Sequence, residues 1–330
     1  MDRAETLIER IFNCSDEYEF DRIALEVFLF QYNNNAIYRQ YCELLHVSPE
    51  KTIHFRQIPF LPVGFFRSFQ IVSSTVSPQF VFSSSGTTGN DRSLHHVVDV
   101  SVYQRSFSTS FSRFYGEVSD YCILALLPSY LDRSGSSLVY MAEKLIAASG
   151  HPESGFYLNN VEQLHQKLNS LKQAGQKTIL LGVTYALLDF AAVFPVDFPE
   201  LIVMETGGMK GRRREMIREE VHVLLCEGFG VRKIHSEYGM TELLSQAYSY
   251  GDGIYTAPPW MKVCIRDTND PLSLVGDNIT GGINIIDLAN IYSCSFIAVQ
   301  DLGKTNPDGT FEVLGRFDQS QMRGCNLMVG

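Results

Sequence analysis

A run of seven small or hydroxylated residues, Ser-Ser-Ser-Gly-Thr-Thr-Gly, occupies positions 83–89 and follows the apolar segment 80–82. Side chains of this size cannot build a core. Their backbone N–H groups can instead fold into a concave nest that binds an anion, because glycine tolerates the backbone angles and the close approach that such a nest requires. A flexible Ser/Gly linker is the alternative interpretation. The residues that follow the other predicted strands decide between an anion-binding nest and a linker.

The composition limits the classes of protein to which this chain can belong. Its 330 residues are enough for one large domain or two ordinary ones, and 45% hydrophobic with 19% charged residues is typical of a soluble globular protein. The formal net charge of −10 argues against non-specific binding of nucleic acid. No apolar run approaches the roughly 20 residues that a membrane-spanning helix needs, so we expect no transmembrane segment.

The cysteines and the N-terminus indicate a cytoplasmic protein. Seven cysteines, an odd number without Cys-x-x-Cys spacing, are expected to be reduced thiols rather than a disulfide framework or a zinc site. The polar, acidic start of the chain does not resemble a secretory signal.

Three segments with different patterns make up what we expect to be a single domain over 1–330. Residues 1–75 show helical spacing of apolar residues, 76–250 alternate short apolar runs with amphipathic ones, and 251–330 contain short strand patterns between turns. The middle segment predicts an α/β core whose mostly parallel sheet is covered by helices. The fold class is therefore α/β, with layered, mostly parallel sheets and a C-terminal β-rich subdomain.

The predicted elements follow from the apolar periodicity. In the core, strands are expected at 121–127, 156–158, 178–183, 201–204 and 231–234, and helices at 100–115, 136–149, 161–174, 185–192 and 215–225. Asp99 and Asn160 are predicted to cap two of these helices. In the C-terminal part, strands are expected at 261–267, 282–287, 295–300 and 311–314. Because ligands bind beyond the carboxyl ends of parallel strands, we expect a site in the loops that follow them.

A Thr-Gly-Gly step follows the predicted strand 201–204. Gly207 and Gly208 would let a flat ligand lie against the backbone, whereas an ordinary turn is the alternative. A group of cations comes next: Lys210, Arg212, Arg213 and Arg214. Cations at the start of a helix oppose the helix dipole, which favours an anion-facing role over a solvated helix start.

The sequence Tyr-Gly-Met-Thr-Glu at 238–242 combines an aromatic ring, a hydroxyl group and a carboxylate. Tyr238 could stack on a base, and Thr241 could donate to a phosphate. Glu242 could hold Mg²⁺, which prefers one or two carboxylates together with phosphate oxygens. A polar loop in which Thr241 caps a helix is the alternative.

Two further residues are expected at the ends of C-terminal strands. Asp301 follows the strand 295–300, and its two carboxylate oxygens could accept from both hydroxyls of a ribose, although a turn aspartate would look the same. Arg316, in Gly-Arg-Phe-Asp at 315–318, could reach a ribose or a phosphate. The P-loop, dinucleotide-binding and hydrolase-elbow glycine motifs are absent from the sequence, which argues against those three folds.

Taken in order, these motifs resemble the adenylate-forming superfamily, and within it the acyl-protein synthetase (LuxE) branch. Segments shared with that branch are Leu-Pro-Ser-Tyr-Leu at 127–131, Gly-Ser-Ser-Leu-Val-Tyr-Met at 135–141 and His-Ser-Glu-Tyr-Gly-Met-Thr-Glu at 235–242. The resemblance extends from about residue 55 to the C-terminus. It implies the large N-terminal domain of those enzymes, without their mobile C-terminal lid domain.

The resemblance implies a nucleotide-binding role for several residues. The glycine-rich loop would hold the phosphates of ATP through Ser84, Ser85, Gly86, Thr87, Thr88 and Gly89. Gly207 and Gly208 would lie along the adenine, with Tyr238 and Gly239 on its other side.

Further implied roles concern the metal, the ribose and the reaction. Thr241 would contact the phosphate and Glu242 the Mg²⁺, both as catalytic residues, while Asp301 would bind the ribose hydroxyls beside Arg316. The implied reaction is attack of a carboxylate, of the fatty-acid class, on the α-phosphorus of ATP to give an acyl-adenylate and pyrophosphate. Catalysis would rest on positioning and charge stabilisation.

Two departures from larger relatives leave the catalytic cation open. The segment after the glycine-rich loop lacks their lysine, for which Arg92 or His95 could substitute. Only 12 residues follow Asp318, where larger relatives continue into a mobile domain with a catalytic lysine. That charge could come from a partner protein or from a cation of this chain: Lys210, Arg213 or Arg323.

The resemblance also implies an acyl acceptor and partners. Cys325 would carry the acyl group as a catalytic residue, since the nearby Arg323 would favour its thiolate, whereas a small residue in a closing strand is the alternative. Cys294 lies in an apolar run and is the weaker candidate. Expected partners are a small-molecule carboxylic acid and a protein, namely an acyl-CoA or fatty-acid reductase subunit, an acyl carrier or a thioesterase.

Two other functions stay open at the level of sequence. The chain could transfer an acyl group from a thioester to Cys325 without ATP. It could also be a non-catalytic nucleotide-binding subunit of an acyl-reductase complex. Carboxylate-dependent exchange between ATP and pyrophosphate separates both from the ligase.

Overall fold

A computed structural model describes residues 3–84, 92–128, 135–207 and 216–316 of the chain. The chain divides into two compact units. Unit 1 combines Met1–Val76 with Pro259–Gly330, and unit 2 is the continuous stretch Ser77–Pro258. The prediction of a single domain built from three consecutive segments stays a prediction.

The N-terminal part of unit 1 is helical. Its elements are α1 (Arg3–Phe12), α2 (Glu17–Asn34), α3 (Ala36–Leu44), the two-residue strand β1 (Leu61–Pro62) and the single turn α4 (Phe65–Ser68). The Asp16 side chain accepts from the backbone N–H of Glu19, and that of Asn35 accepts from Tyr38, so the starts of α2 and α3 are capped. Apolar residues at helical spacing are buried on one face of α1 and α2, as the periodicity predicts: Leu7, Ile11, Ile23 and Val27.

Unit 2 contains a hairpin and a larger sheet. The hairpin pairs β2 (Phe80–Ser83) with β3 (Leu94–Val97). The sheet runs in the order β10-β9-β8-β7-β6-β4-β5. Its strands are β4 (Cys122–Leu126), β5 (Gly155–Phe156), β6 (Thr178–Val183), β7 (Ile202–Thr206), β8 (His235–Tyr238), β9 (Ala247–Ser249) and β10 (Ile254–Thr256). The neighbouring strands from β5 across to β8 pair in parallel, and β9 and β10 add antiparallel pairs.

Helices connect the parallel strands of unit 2. They are α5 (Val100–Tyr115), α6 (Ser137–Ser149), α7 (Val161–Gln173), α8 (Thr184–Val193) and α9 (Arg218–Phe229). Every residue of β4 and β6 is buried, which is the pattern of a parallel sheet covered on both faces. The predicted mostly parallel α/β core is therefore confirmed.

The C-terminal part of unit 1 is an antiparallel sheet in the order β12-β11-β13-β14-β15. Its strands are β11 (Met261–Arg266), β12 (Leu274–Val275), β13 (Gly281–Asp287), β14 (Phe296–Thr305) and β15 (Phe311–Arg316), and β1 pairs in parallel with β14. The buried Gln31 of α2 ties the helices to this part: its amide donates to the carbonyls of Asn290 and Ile291 and accepts from the Ser295 N–H. The predicted β-rich C-terminal part is confirmed.

Several predicted element bounds are wrong in informative ways. Residues 231–234 are not a strand, because β8 begins at His235 and ends at Tyr238. Strand β14 does not end at residue 300 but runs on to Thr305, so Asp301 lies inside it. Asp99 caps α5 as predicted, whereas the Asn160 side chain makes no capping bond and donates to Gln163 instead.

The structure also describes most of the cysteines and the helices, for which the sequence predicts reduced thiols and no transmembrane segment. The six cysteines in these ranges are free thiols, and all but Cys226 are buried. No helix within the same ranges is long and apolar enough to cross a membrane.

Candidate active site

The two motifs predicted to hold a base start side by side. Strands β7 and β8 are parallel neighbours, with Glu205 opposite Ser236 and Thr206 opposite Glu237. The Thr-Gly-Gly and Tyr-Gly-Met-Thr-Glu segments therefore leave the sheet at the same edge, where ligands of parallel sheets bind. Gly207 turns the chain there with a φ of 62°, a conformation that favours glycine.

Tyr238 is the last residue of β8 rather than part of the following loop. Its half-buried ring lies 5.9 Å from the ring of Tyr255 in an edge-on arrangement, and the guanidinium of Arg218 lies 5.6 Å from the Tyr255 ring centroid. The strand and the Tyr255 ring restrict the orientation of the Tyr238 ring, as a stacking surface for a flat ligand requires.

Gly239 is required by the side chain that lies against it. A Cβ atom at this position would overlap Oε1 of Glu237 and come within 3.4 Å of Cγ of Gln246. Glycine at position 239 therefore lets the buried Glu237 carboxyl lie directly against the segment that carries the Tyr-Gly-Met-Thr-Glu motif.

Thr241 and Glu242 occupy a turn after β8, closed by a hydrogen bond from Leu243 N to Met240 O. Thr241 is half-buried, and the Glu242 side chain is buried. His95, on β3 of the hairpin, contacts the Thr241 carbonyl oxygen through Nδ1 at 2.8 Å. A carbonyl can only accept, so Nδ1 carries the proton.

The described end of the glycine-rich loop is fixed by the hairpin. Ser84 donates its N–H to Ser93 O at 3.1 Å, and its hydroxyl accepts from Ser93 N at 3.0 Å. Arg92 is exposed and His95 is buried, so these two candidates for the missing cation stand in different environments. The other predicted residues lie outside the described ranges: Ser85, Gly86, Thr87, Thr88, Gly89, Gly208, Lys210, Arg212, Arg213, Arg214, Arg323 and Cys325.

Glu205 faces the side of the sheet edge opposite to Thr206, because neighbouring strand residues alternate between faces. Its carboxylate accepts from Thr184 Oγ1 at 2.5 Å and from Ser236 Oγ at 2.9 Å, and His222 Nε2 lies 3.7 Å away. Burial alone would raise the pKa of Glu205, but these polar neighbours, His222 first and then the two hydroxyl donors, outweigh it and hold that pKa below its usual value. Glu205 is thus an ionised group that links α8, β7, β8 and α9.

Glu237 lies on the other face and behaves differently. Its carboxyl accepts a hydrogen bond from Thr206 Oγ1, its partner across the parallel pair. Burial raises the pKa of Glu237 to about 7, although the Thr206 bond opposes this, and the charge of Glu205 raises it further. The partly buried Glu205 and the buried Glu237 at one sheet edge therefore differ in charge below neutral pH.

Asp301 and Arg316 belong to unit 1 and meet there as a cross-strand pair. They stand opposite each other in the antiparallel ladder of β14 and β15, just before a bulge between Leu302 and Gly303. This register keeps the two predicted ribose ligands adjacent along the ladder.

Arg266 approaches the same part of unit 1 from β11. Its buried guanidinium donates to the carbonyl oxygens of Ile283 and Val299 and to Asn284 Oδ1 at 2.8 Å. A Cβ on Gly282 would overlap this guanidinium, so glycine is needed where the arginine crosses β13. Burial lowers the pKa of Arg266, while the negative charge of Asp301 raises it.

A model of the family described as "Acyl-protein synthetase, LuxE" matches residues 11–330 of the sequence. The chain belongs to this family. The resemblance inferred from the sequence motifs is thereby confirmed, and the chain is a member of a family of ligases.

Two relatives of this LuxE-family chain are both named long-chain-fatty-acid–luciferin-component ligase. The protein of Vibrio harveyi is 24% identical over 93% of this chain and 86% of its own length. That of Aliivibrio fischeri is 22% identical over 94% of this chain and 87% of its own length.

Solved structures share the fold of this LuxE-family chain. 2-Hydroxyisobutyryl-CoA ligase with its adenylate R3-HIB-AMP matches with a TM-score of 0.67 and 14% identity, over 92% of this chain and 69% of its own. ATP-bound MatB from Rhodopseudomonas palustris matches with a TM-score of 0.53 and 17% identity over 72% of this chain. The match spans about half of MatB, 47% of its length. At these identities the likeness shows the fold, so the predicted fold class is confirmed.

Sequence reasoning missed the residues of this LuxE-family chain that position its motifs. Glu205 and Glu237 act through partners on neighbouring strands, and Arg266 acts across three strands. For His95 the sequence suggests only a substitute cation, and not the bond from its ring to the Thr241 carbonyl. The available signal was the occurrence of charged residues inside strands, as in His-Ser-Glu-Tyr at 235–238. A buried charge requires partners, so such residues mark a hydrogen-bonded network.

Proposed function

We propose that this chain is an ATP-dependent ligase that converts a carboxylic acid of the fatty class into an acyl-adenylate and passes the acyl group to a protein cysteine. The observation that carries the proposal is the common edge at which Thr206–Gly207 and Tyr238–Glu242 leave β7 and β8. His95 joins that edge to the hairpin that holds Ser84. The names of the two ligase relatives support the fatty acid as substrate.

The proposed nucleotide contacts are those of the motif residues. The backbone at Gly207 and Gly208 would face one side of the adenine and Tyr238 with Gly239 the other. The loop from Ser84 to Gly89 would hold the phosphates through backbone N–H groups and hydroxyls. Asp301 would accept from the ribose hydroxyls, with Arg316 opposite it in the strand ladder.

The reacting phosphate would lie near the turn after β8. Thr241 would donate to it, and Lys210 would add positive charge to the transition state. The buried carboxylate of Glu242 fits Mg²⁺, since that ion takes one or two protein carboxylates together with phosphate oxygens. Bound there, Mg²⁺ would neutralise phosphate charge during the displacement.

The proposed reaction consists of two balanced displacements. A carboxylate oxygen of the acid bonds to the α-phosphorus of ATP, the bond to the bridging oxygen of the β-phosphate breaks, and pyrophosphate leaves. A cysteine thiolate then bonds to the acyl carbon, and AMP leaves with the electron pair of the broken C–O bond. Cys325 would be the acceptor, and the thioester would then serve a partner such as a reductase subunit.

Exchange of labelled pyrophosphate into ATP tests the first step. Purified protein, with fatty acids of increasing chain length and Mg²⁺, is expected to show carboxylate-dependent exchange. Glu242→Gln should lower the rate by at least about a hundredfold, the scale of losing one electrostatic group in an active site. Glu162→Gln, an exposed carboxylate on α7, is the matched control and should exchange at the wild-type rate.

The outcomes separate the alternatives. ATP binding without exchange, with and without the partner, would point to a non-catalytic subunit. Labelling of the protein by an acyl thioester in nucleotide-free buffer would point to an ATP-independent transferase. For the second step, Cys325→Ser should abolish acyl labelling from ATP and fatty acid while exchange continues. Cys226→Ser, a partly exposed thiol, should leave the labelling intact.

A further inference from the structure

The Glu237 carboxyl contacts the end of β7 and the chain that leaves β8. Its Oε2 accepts from Thr206 Oγ1, directly before Gly207. Its Oε1 lies against Gly239, so close that a Cβ added at residue 239 would overlap it. Glu237 therefore sets the spacing between the two backbone segments proposed to enclose the base.

The surroundings of Glu237 favour a neutral group. Its side chain is buried, and the nearby Gln246 Oε1 and the hydroxyl of Tyr248, its cross-strand neighbour, are also buried without a hydrogen-bond partner in the part of the chain that the structure describes. A charge in such a place is poorly solvated. The titratable groups that interact with it from neighbouring elements are Glu205 on β7, Tyr248 on β9, Tyr115 on α5 and Tyr255 on β10.

A negative charge on Glu237 would weaken the binding of an anionic ligand. Glu205 already places one negative charge at the opposite face of the same edge, held by Thr184 and Ser236. A second carboxylate would repel a polyphosphate at this edge, and repulsion between charges is strong where water is excluded. A proton on Glu237 removes that repulsion and leaves the hydrogen bond to Thr206 possible.

We propose that Glu237 is a positioning residue that must carry its proton when the site binds its anionic ligand, so that binding of the ligand and protonation of Glu237 favour each other. The identity of the ligand as Mg·ATP rests on the proposed function. When ATP binds above neutral pH, one carboxyl oxygen of Glu237 gains a proton and the buffer acid that supplies it becomes its conjugate base.

Titration calorimetry tests this linkage. The binding heat of Mg·ATP is measured at pH 8 in buffers with different ionisation enthalpies, and its slope against that enthalpy counts the protons taken up. We expect wild-type protein to take up close to one proton more than Glu237→Gln, which keeps the shape of the neutral acid. The wild-type dissociation constant should rise by up to tenfold per pH unit above about 7, and that of Glu237→Gln should stay flat.

Thr206→Val provides a second variant with a signed effect. The Thr206 hydrogen bond lowers the pKa of Glu237, so its removal should move the midpoint of the wild-type binding profile to higher pH. A residue that only supports the fold would weaken binding at every pH and leave the midpoint unchanged.

Each outcome is decisive. Equal proton uptake by wild type and Glu237→Gln would overturn the inference and leave the proposed function standing. Absence of Mg·ATP binding by wild type would overturn the proposed function and the inference with it. Should Glu237→Gln not fold, a wild-type affinity that does not change between pH 6 and 9, or a Thr206→Val midpoint that does not rise, would overturn the inference.

Discussion

His95 and Thr241 are joined by a hydrogen bond of 2.8 Å from an imidazole Nδ1–H to a main-chain carbonyl. The bond connects β3 of the hairpin, next to Ser84, with the turn that carries Glu242. The hairpin next to the proposed phosphate loop and the turn of the proposed metal ligand are therefore connected by this hydrogen bond.

Removal of this link should weaken nucleotide use more than stability. A buried hydrogen bond contributes on the order of 1 kcal/mol, and leaving its acceptor unpaired costs about 1–3 kcal/mol. His95→Leu is expected to lower kcat/KM for ATP by about tenfold to a hundredfold in the exchange assay. His96→Leu is the matched control, since the neighbouring ring points to the other face and its buried Nδ1 has no hydrogen-bond partner in the described structure. Equal losses in both variants would contradict the role given to His95.

Gly239 should tolerate no side chain. Gly239→Ala would place a methyl group onto the Glu237 carboxyl, and overpacking of this kind costs about 1–3 kcal/mol. We expect a lower unfolding temperature together with loss of exchange activity. Gly276→Ala, where an added Cβ meets nothing within 4 Å and φ is not positive, should change neither. A stable and active Gly239→Ala would show that the carboxyl can move away without consequence.

Stability should respond to pH through Glu237 with a defined sign. Its pKa is about 7 in the folded protein and 4.5 in the unfolded chain, so the favourable contribution is complete below pH 4.5 and lost as pH rises to about 7. At about 1.4 kcal/mol per pKa unit the loss amounts to about 3 kcal/mol. Urea unfolding across this range should show wild type losing stability relative to Glu237→Gln, and parallel curves would contradict the burial of a proton there.

His235, two residues earlier on the same face of β8, should act in the opposite direction. Burial lowers the pKa of His235 from 6.5 to about 4. Between these two pH values His235 is therefore protonated in the unfolded chain and neutral in the folded protein. Stability is then lost as pH falls from 6.5 towards 4. His235→Asn, which retains an acceptor for the Tyr115 hydroxyl, should remove this loss when unfolding is measured by urea at each pH. An unchanged acid limb would mean that another group causes it.

Asp301 should discriminate between sugars. If its carboxylate accepts from the ribose hydroxyls, Asp301→Asn will weaken ATP binding by about tenfold or more, as expected for hydrogen bonds to a charged group. The same variant should bind 2′,3′-dideoxy-ATP as well as wild type does. Asp308→Asn, in the turn between β14 and β15, keeps an acceptor for the Thr310 N–H and is the control. If Asp301→Asn weakens the binding of ATP and of the dideoxy nucleotide equally, Asp301 does not bind the ribose hydroxyls.

The sequence predicts some elements closely because local pattern determines them. The bounds of β6 and α5 agree with the prediction, since β6 is a continuous apolar run and α5 begins at a capping aspartate and ends at Gly116. The prediction for strand β8 is wrong because His-Ser-Glu-Tyr is polar and typical of a loop. Its burial depends on Glu205 and Thr206, which belong to another strand.

The candidate site divides in the same way. Motif residues such as Tyr238 and Glu242 are recognisable because a ligand constrains their type and spacing. The extension of β14 through Asp301 depends instead on pairing with Arg316 of β15 across a turn, and the position of Arg266 depends on Gly282 of β13. Such cross-strand relations have no local sequence pattern, which is why the positioning residues became visible only in the structure.

Unit 1 is built from the sequence that precedes unit 2 and the sequence that follows it. Within unit 1, Gln31 is bonded to Ser295 and β1 is paired with β14. During translation the helices α1 to α3 therefore emerge well before the strands they pack on. At a synthesis rate of about 5–20 residues per second, this interval is on the order of tens of seconds. Unit 2 is continuous in sequence and can complete its fold within that time. During the same interval the apolar faces of α1 to α3 lack their partner strands and are accessible to chaperones on the ribosome.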